Sequence, residues 1–339
     1  MTTNHEPIPI ALIGAGVFMR SVHLPALLRL ERVFHIVAVY SRTEASAAAL
    51  TEQIPYPVTM TTDLDGLLTR EDIAAVDIAL PIQVMPAVVE RALAAGKHVV
   101  SEKPIAPDVM SGRRLLDAYR RRPGQVWMVA ENWRYEAAFT HAAELVQAGA
   151  IGRPIACQWT ILTPMTPDNR YYHTAWRRAG DYAGGFLLDG GVHHVAALRR
   201  ILGEIDMVSA LATQVSPDLP PLDTLSATLH FASGALGSYL VSYAADAPWK
   251  NYLLITGEEG ALRVKRGVIE LARDGDVEHI DCPIYNGVED ELAAFAHAVQ
   301  TGASHRNTPQ EALRDLATIE AMLLAAEAGV SVAPARIKG

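Results

Sequence analysis

The sequence predicts an α/β chain of two domains, an N-terminal doubly wound parallel sheet and a C-terminal α+β domain with a largely antiparallel sheet. Three observations lead there. The 339 residues exceed what one domain usually holds. Through the first third, short β-rich runs alternate with helical patterns, as in a parallel sheet with helices on both faces. Beyond about residue 150, longer alternating strands with turn signals between them take over.

Taken in order, residues 8–13 read as a buried strand, 17–30 as a helix and 35–40 as a second strand. Helix returns over 44–53, and strand, helix and strand follow at 76–80, 84–95 and 98–101. Gly96 stands where a helix C-terminal glycine is expected. A helix over 108–122 and a strand over 126–130 complete the first domain, residues 1–130. In the second, residues 131–339, strands are expected at 155–163, 207–215, 225–231 and 235–243. Ser233-Gly234 and Asp274-Gly275 look like hairpin turns, so the strands they join must be antiparallel. A helix over 190–202, ended by Gly203, interrupts them. Thr308-Pro309-Gln310-Glu311 fits a capping box that opens a last helix closed by Gly329, with a place for it on the first domain.

Composition narrows the function. A net charge of −9 gives no support to nucleic-acid binding. Cys157 and Cys282 have no CxxC spacing, which points away from a disulfide framework or zinc site and toward a reducing compartment. The polar start lacks a signal-peptide core, and no run of about 18 apolar residues occurs, so the expectation is a cytoplasmic protein with no membrane partner.

Gly14-Ala15-Gly16-Val17-Phe18-Met19 follows the first strand and opens a helix. Gly14 permits the tight turn, and Gly16 lets the backbone approach a pyrophosphate held by N–H groups of the helix start. Met19 occupies the position of the usual third glycine. A Rossmann dinucleotide site is expected, with Gly14, Gly16, Val17 and Phe18 around the phosphates. An NAD-selective site places an acid at the end of the second strand, whereas this chain has Ser41-Arg42, a hydroxyl and a cation suited to a 2′-phosphate. NADP is therefore the preferred cofactor, with NAD the alternative and a solvated Arg42 the plain structural reading.

Ala95-Gly96-Lys97-His98-Val99-Val100-Ser101-Glu102-Lys103-Pro104 resembles the GKHV-x-x-EKP signature of the glucose–fructose oxidoreductase / inositol dehydrogenase / MocA family. Gly184-Gly185-Phe186-Leu187-Leu188-Asp189-Gly190-Gly191-Val192-His193 is similar to that family's GG-x-LLD-x-G-x-H motif, and Ala130-Glu131-Asn132-Trp133-Arg134-Tyr135 to the segment leaving its Rossmann domain. Met19, Met85 and Ala196 depart from the usual pattern. The resemblance implies a Rossmann domain followed by an antiparallel α/β substrate domain, a carbohydrate-like substrate, and a homo-dimer or homo-tetramer. Pro81, Glu102 and Lys103 join the expected cofactor contacts.

Asp189 and His193 are four residues apart at the start of a predicted helix and share a face. A carboxylate there can orient the imidazole and favour its charged form, useful if His193 exchanges a proton with a substrate oxygen during hydride transfer. Lys103, after a parallel strand, can stabilise a developing alkoxide. Lys103, Asp189 and His193 are thus the expected catalytic residues, although Asp189 taken alone reads as a helix N-cap. Trp133, Arg134, Tyr172, Trp176 and His194 are the candidate substrate contacts. The 171–177 loop either stacks on a sugar ring or forms a buried aromatic cluster. No metal is expected, because adjacent His193 and His194 suit no single helix face. Two other functions fit the same motifs: a non-catalytic cofactor-binding sensor, which the retained Lys103, Asp189 and His193 argue against, and a redox-neutral NAD-dependent glycosidase, which Ser41-Arg42 argues against.

Overall fold

The computed structural model describes residues 6–249 and 251–338. The chain forms two compact units, Met1–Glu131 with Val288–Ala312 and Asn132–Gly287 with Leu313–Gly339. Its elements in order are β1 (Ile8–Ile13), α1 (Leu24–Arg29), β2 (Phe34–Tyr40), α2 (Glu44–Thr51), β3 (Thr59–Thr61), α3 (Leu64–Leu68), β4 (Ala75–Ile78), α4 (Met85–Ala94), β5 (His98–Glu102), α5 (Val109–Arg120) and β6 (Trp127–Ala130). There follow α6 (Ala137–Gln147), β7 (Pro154–Leu162), α7 (Ala175–Arg178), α8 (Phe186–Leu202), β8 (Ile205–Thr213), β9 (Thr224–Phe231), β10 (Leu236–Ser242), β11 (Tyr252–Gly257), β12 (Gly260–Lys265), β13 (Val268–Arg273), β14 (Asp276–Asp281), α9 (Gly287–Thr301) and α10 (Pro309–Ala328). Among the described residues no helix is long and apolar enough to cross a membrane.

In the first unit six parallel strands take the order β3-β2-β1-β4-β5-β6. A parallel sheet must be covered on both faces, which explains why β1 and β4 are apolar almost throughout. Part of the cover comes from far along the chain. Val288, Leu292, Phe295 and Ala296 of α9 join the core of Ile10, Leu12, Phe34 and Ile36, and the Phe34 and Phe295 rings stack 6.4 Å apart. The last helix, α10, lies mostly in the second unit. The segment expected as one helix over 17–30 contains a π turn, Met19–His23, ahead of α1. Pro25, in the first turn of α1, has no N–H to give the Ser21 carbonyl, and the Leu24 N–H bonds instead to Met19 one residue further back.

The second unit is built on eight strands in the order β14-β13-β12-β11-β7-β10-β9-β8, antiparallel except for the β7–β10 pair. The hairpins at Ser233-Gly234 and Asp274-Gly275 join β9 to β10 and β13 to β14, and both residues of the second turn have positive φ. Strict alternation of buried and exposed residues along β9 shows one face packed and one open. The Glu311 N–H donates to Thr308 Oγ1 at 3.3 Å, as the capping box requires.

A buried ion network ties this unit together. Asp315 of α10 accepts from Arg134 on one oxygen and from Arg199 of α8 on the other, the latter at 2.6 Å, and Arg199 also reaches Glu204 at 2.6 Å. Removing Asp315 leaves two guanidinium groups short of their carboxylate in the interior. Asp315→Ala is therefore expected to destabilise the protein by about 3–5 kcal/mol in urea unfolding; a loss below about 1 kcal/mol would contradict that view of the network.

Candidate active site

The two glycines of the dinucleotide turn do different work. Gly14 has φ +104, and a Cβ there would meet the Ala79 carbonyl oxygen at 2.3 Å, so β1 and the end of β4 approach too closely for any side chain. Gly16 and Val17 are exposed, and a Cβ on Gly16 would meet nothing within 4 Å. That open backbone at a helix start fits a pyrophosphate. Phe18 is half-buried against the edge of the His23 ring, and Met19 fills core where a third glycine would leave space. Arg20, which the sequence did not single out, donates from Nε to the Ala15 carbonyl at 2.9 Å and from Nη2 to the Ser46 carbonyl at 3.2 Å, joining the turn to α2.

Because the strands are parallel, the ends of β2, β4 and β5 lie at the same edge as this turn. Ser41 is buried there, its N–H bonded to Thr61 O at 3.3 Å, while Arg42 is exposed. Pro81 opens the turn into α4 and accepts from the Val84 and Met85 N–H groups. Lys103, just past β5, is half-buried. Lys97 of the same sequence signature is structural: its buried Nζ donates to the carbonyls of Arg70 (2.6 Å) and Ile73 (2.8 Å), and burial lowers its pKa. His98 Nδ1 accepts from the Val126 N–H at 3.0 Å, and burial lowers its pKa too.

Below Glu102 lies a group that sequence reasoning missed. His23 is wholly buried, with Nδ1 2.7 Å from Asp77 Oδ2 and Nε2 2.9 Å from Glu102 Oε1. Burial pulls its pKa down, but the charge and hydrogen bond of Asp77 and those of Glu102 hold it well above the ordinary imidazole value. Glu291 of α9, fully buried, is pushed up by burial and by the charge of Glu102, and accepts from Asn307 Nδ2 at 2.8 Å. The one sequence signal was that His23 and Met19, four apart, share the inward face of a helix.

The second unit carries the Asp189–His193 motif on α8. This helix opens at Phe186, a turn earlier than expected, after Gly184 (φ +76) and Gly185 (φ +51). Positive φ is what only glycine accepts easily, and it turns the chain sharply into the helix. Asp189 is thus inside the first turn rather than the cap, where a carboxylate also suits the helix dipole. Its Oδ2 accepts from Arg177 Nε at 2.7 Å, and burial together with its charge raises the pKa of the nearby Tyr243 and Tyr182 phenols.

His193 is half-buried, and its ring stacks on Trp133 with centroids 5.4 Å apart and planes 14° from parallel. Trp133 also stacks on Phe139 and carries the Arg266 guanidinium 4.5 Å from its centre. His194 is buried, its Nδ1 2.7 Å from the Tyr239 hydroxyl.

The expected substrate contacts divide. Arg134 is buried in the ion network with Asp315, and Tyr172 is buried with its hydroxyl donating to Asp218 at 2.8 Å. His194 is likewise committed to the interior. Trp176 is half-buried with Arg177 stacked 4.1 Å from its centre, and Trp133 is half-buried too. Gly190 explains the glycine after Asp189, since a Cβ there would lie 1.7 Å from the Tyr243 hydroxyl. Gly190→Ala should lower stability by about 1–3 kcal/mol, with partial recovery in Gly190→Ala/Tyr243→Phe. Equal stability of Gly190→Ala and wild type in thermal unfolding would refute that packing.

Comparison with known proteins gives the same picture. Residues 8–130 match the model of the oxidoreductase family with an NAD-binding Rossmann fold, and residues 139–263 match the GFO/IDH/MocA C-terminal domain. The chain is 35% identical to dehydrogenase FPY6 of Fusarium mangiferae, over 93% of this chain and 95% of that one. It is 29% identical to a D-xylose 1-dehydrogenase (NADP(+)) of Haloferax volcanii, over 94% and 97%. An oxidoreductase from Thermotoga maritima superposes with a TM-score of 0.91 at 36% identity, over 96% of this chain and 98% of that one. With both family domains matched in order, the chain belongs to the GFO/IDH/MocA family and is an NAD(P)-binding oxidoreductase.

Proposed function

We propose that the protein is an NADP(H)-preferring dehydrogenase or reductase acting on a sugar, polyol or related small carbonyl compound. The observation that carries the cofactor preference is the end of β2, where exposed Arg42 follows buried Ser41 and no acid is present to repel a 2′-phosphate. The relative from Haloferax, whose name specifies NADP(+) and D-xylose, supports the same reading. Bound nicotinamide supplies the hydride acceptor or donor.

The chain's own residues handle the proton and the charge. In the oxidative direction the substrate carbon loses hydride and its hydroxyl proton passes to His193, leaving a carbonyl; reduction reverses both. Lys103 stabilises the negative charge that develops on the oxygen. Asp189, fixed by Arg177, stands one helical turn before His193 at the start of α8. Trp133 holds the His193 ring by stacking, and half-buried Trp176 stands as a candidate contact for a sugar ring.

Lys103→Ala and His193→Ala should each lower kcat by about a hundredfold or more in a steady-state assay, and His193→Ala should leave dinucleotide affinity near wild type. Near-normal turnover in both would sink the assignment. Separately, Arg42→Ala should weaken NADPH binding about tenfold or more in calorimetric titration and leave NADH almost unaffected. A wild-type protein that binds NADH as tightly as NADPH would overturn the preference.

A further inference from the structure

The His23 cluster is costly, and the scheme above makes no use of it. Asp77 stands in the middle strands of the sheet, fully buried, between Leu12 of β1 and Val100 of β5. Its Oδ2 bonds to His23, while its Oδ1 has no hydrogen-bond partner among the described residues. Apolar residues in place of such an ion pair are commonly neutral or stabilising. A packing role therefore gives no reason for the pair.

The second nitrogen of His23 supplies one. Ionised carboxylates only accept, so a histidine bound to Asp77 and Glu102 donates from both nitrogens and is held at both ends. With Asp77 fixed in the sheet, the imidazole becomes a rigid strut. Its far end grips Oε1 of Glu102, whose side chain keeps 12% exposure at the last position of β5, one residue before Lys103. The β5 strand is two places from β1, so Glu102 stands about 10 Å across the edge from the Gly14–Gly16 turn. The nicotinamide half of a dinucleotide covers that distance when its pyrophosphate rests on the turn.

We propose that His23 is a positioning residue for the cofactor: braced on Asp77, it fixes the Glu102 carboxylate so that its other oxygen accepts a hydrogen bond from the nicotinamide half of the bound dinucleotide. This rests on the dinucleotide reading of the Gly14–Gly16 edge. Two further carboxylates face the cluster: Glu131 follows β6, and Glu291 comes from α9, where burial and the charge of Glu102 raise its pKa.

The test separates positioning from packing. His23→Leu alone strands the Asp77 charge and risks the fold, so the informative variant is His23→Leu/Asp77→Leu, which removes both buried charges and leaves Glu102 in place but unbraced. Its thermal midpoint is expected to match or exceed wild type. Its affinity for NADPH and NADH, measured by calorimetry without any substrate, is expected to fall tenfold or more. Glu102→Ala should show a similar loss, and adding the His23/Asp77 change to Glu102→Ala should bring no further loss. A folded His23→Leu/Asp77→Leu protein with wild-type affinity would overturn the proposal, as would losses that add independently of Glu102. Wild-type protein that binds neither dinucleotide would overturn the cofactor reading itself, and this proposal with it.

Discussion

The constraint on which the rest depends is that all strands of the first unit's sheet run the same way. Parallel strands cannot be joined by tight hairpins, so each return needs a crossover, and every strand end that matters falls on one edge. Gly14, Ser41, Pro81 and Glu102 are far apart in sequence and share that edge because β1, β2, β4 and β5 do. The sheet order reverses between β1 and β4, and there the close approach of Gly14 to Ala79 sets the depth of the turn. A doubly covered sheet has an apolar interior, and into it the chain sets one ionic strut, Asp77–His23–Glu102, aimed at the same edge.

The second unit solves a different problem. Its antiparallel sheet has one packed face, and α8 carries both buried structural residues and the proposed proton-transfer group. Arg199 near the end of α8 is bound into the interior by Asp315, so the helix is anchored far from the Asp189–His193 motif at its start. At that start, glycines at 184, 185, 190 and 191 let the backbone come close to Pro220, Tyr243, Ile319 and Leu323. What remains for a side chain to do is concentrated in Asp189, gripped by Arg177, and His193, stacked on Trp133. A stacked ring in a half-buried site loses rotational freedom without losing access, which suits a proton-transfer group.

Much of this was legible in the chain itself. Alternation of apolar runs and helices gave the first sheet's main strands and their parallel sense, and the Ser233-Gly234 and Asp274-Gly275 turns gave two antiparallel pairs. Short β3 and α3 escaped because three to five residues carry no period. The π turn escaped because its cause, Pro25, resembles an ordinary first-turn proline. The return of α9 to the first sheet left no local trace, since an apolar helix face does not say what it covers. Motifs singled out Gly14, Lys103, Asp189 and His193 as candidate site residues. Arg134 and Tyr172, expected as substrate contacts, are buried and engaged with Asp315 and Asp218, and an Arg or Tyr looks the same in sequence whichever partner it meets. His23 was invisible for the opposite reason: its partners lie 54 and 79 residues away.

The most direct measurement of the central claim is the stoichiometry of cofactor and product. Purified protein incubated with NADP+ and a panel of aldoses and polyols, with reduced nicotinamide followed by its absorbance, is expected to form one NADPH per substrate oxidised for at least one of them. Conversion of a sugar with no net change in the dinucleotide, or failure to oxidise or reduce any member of the panel with either NADP(H) or NAD(H), would contradict it.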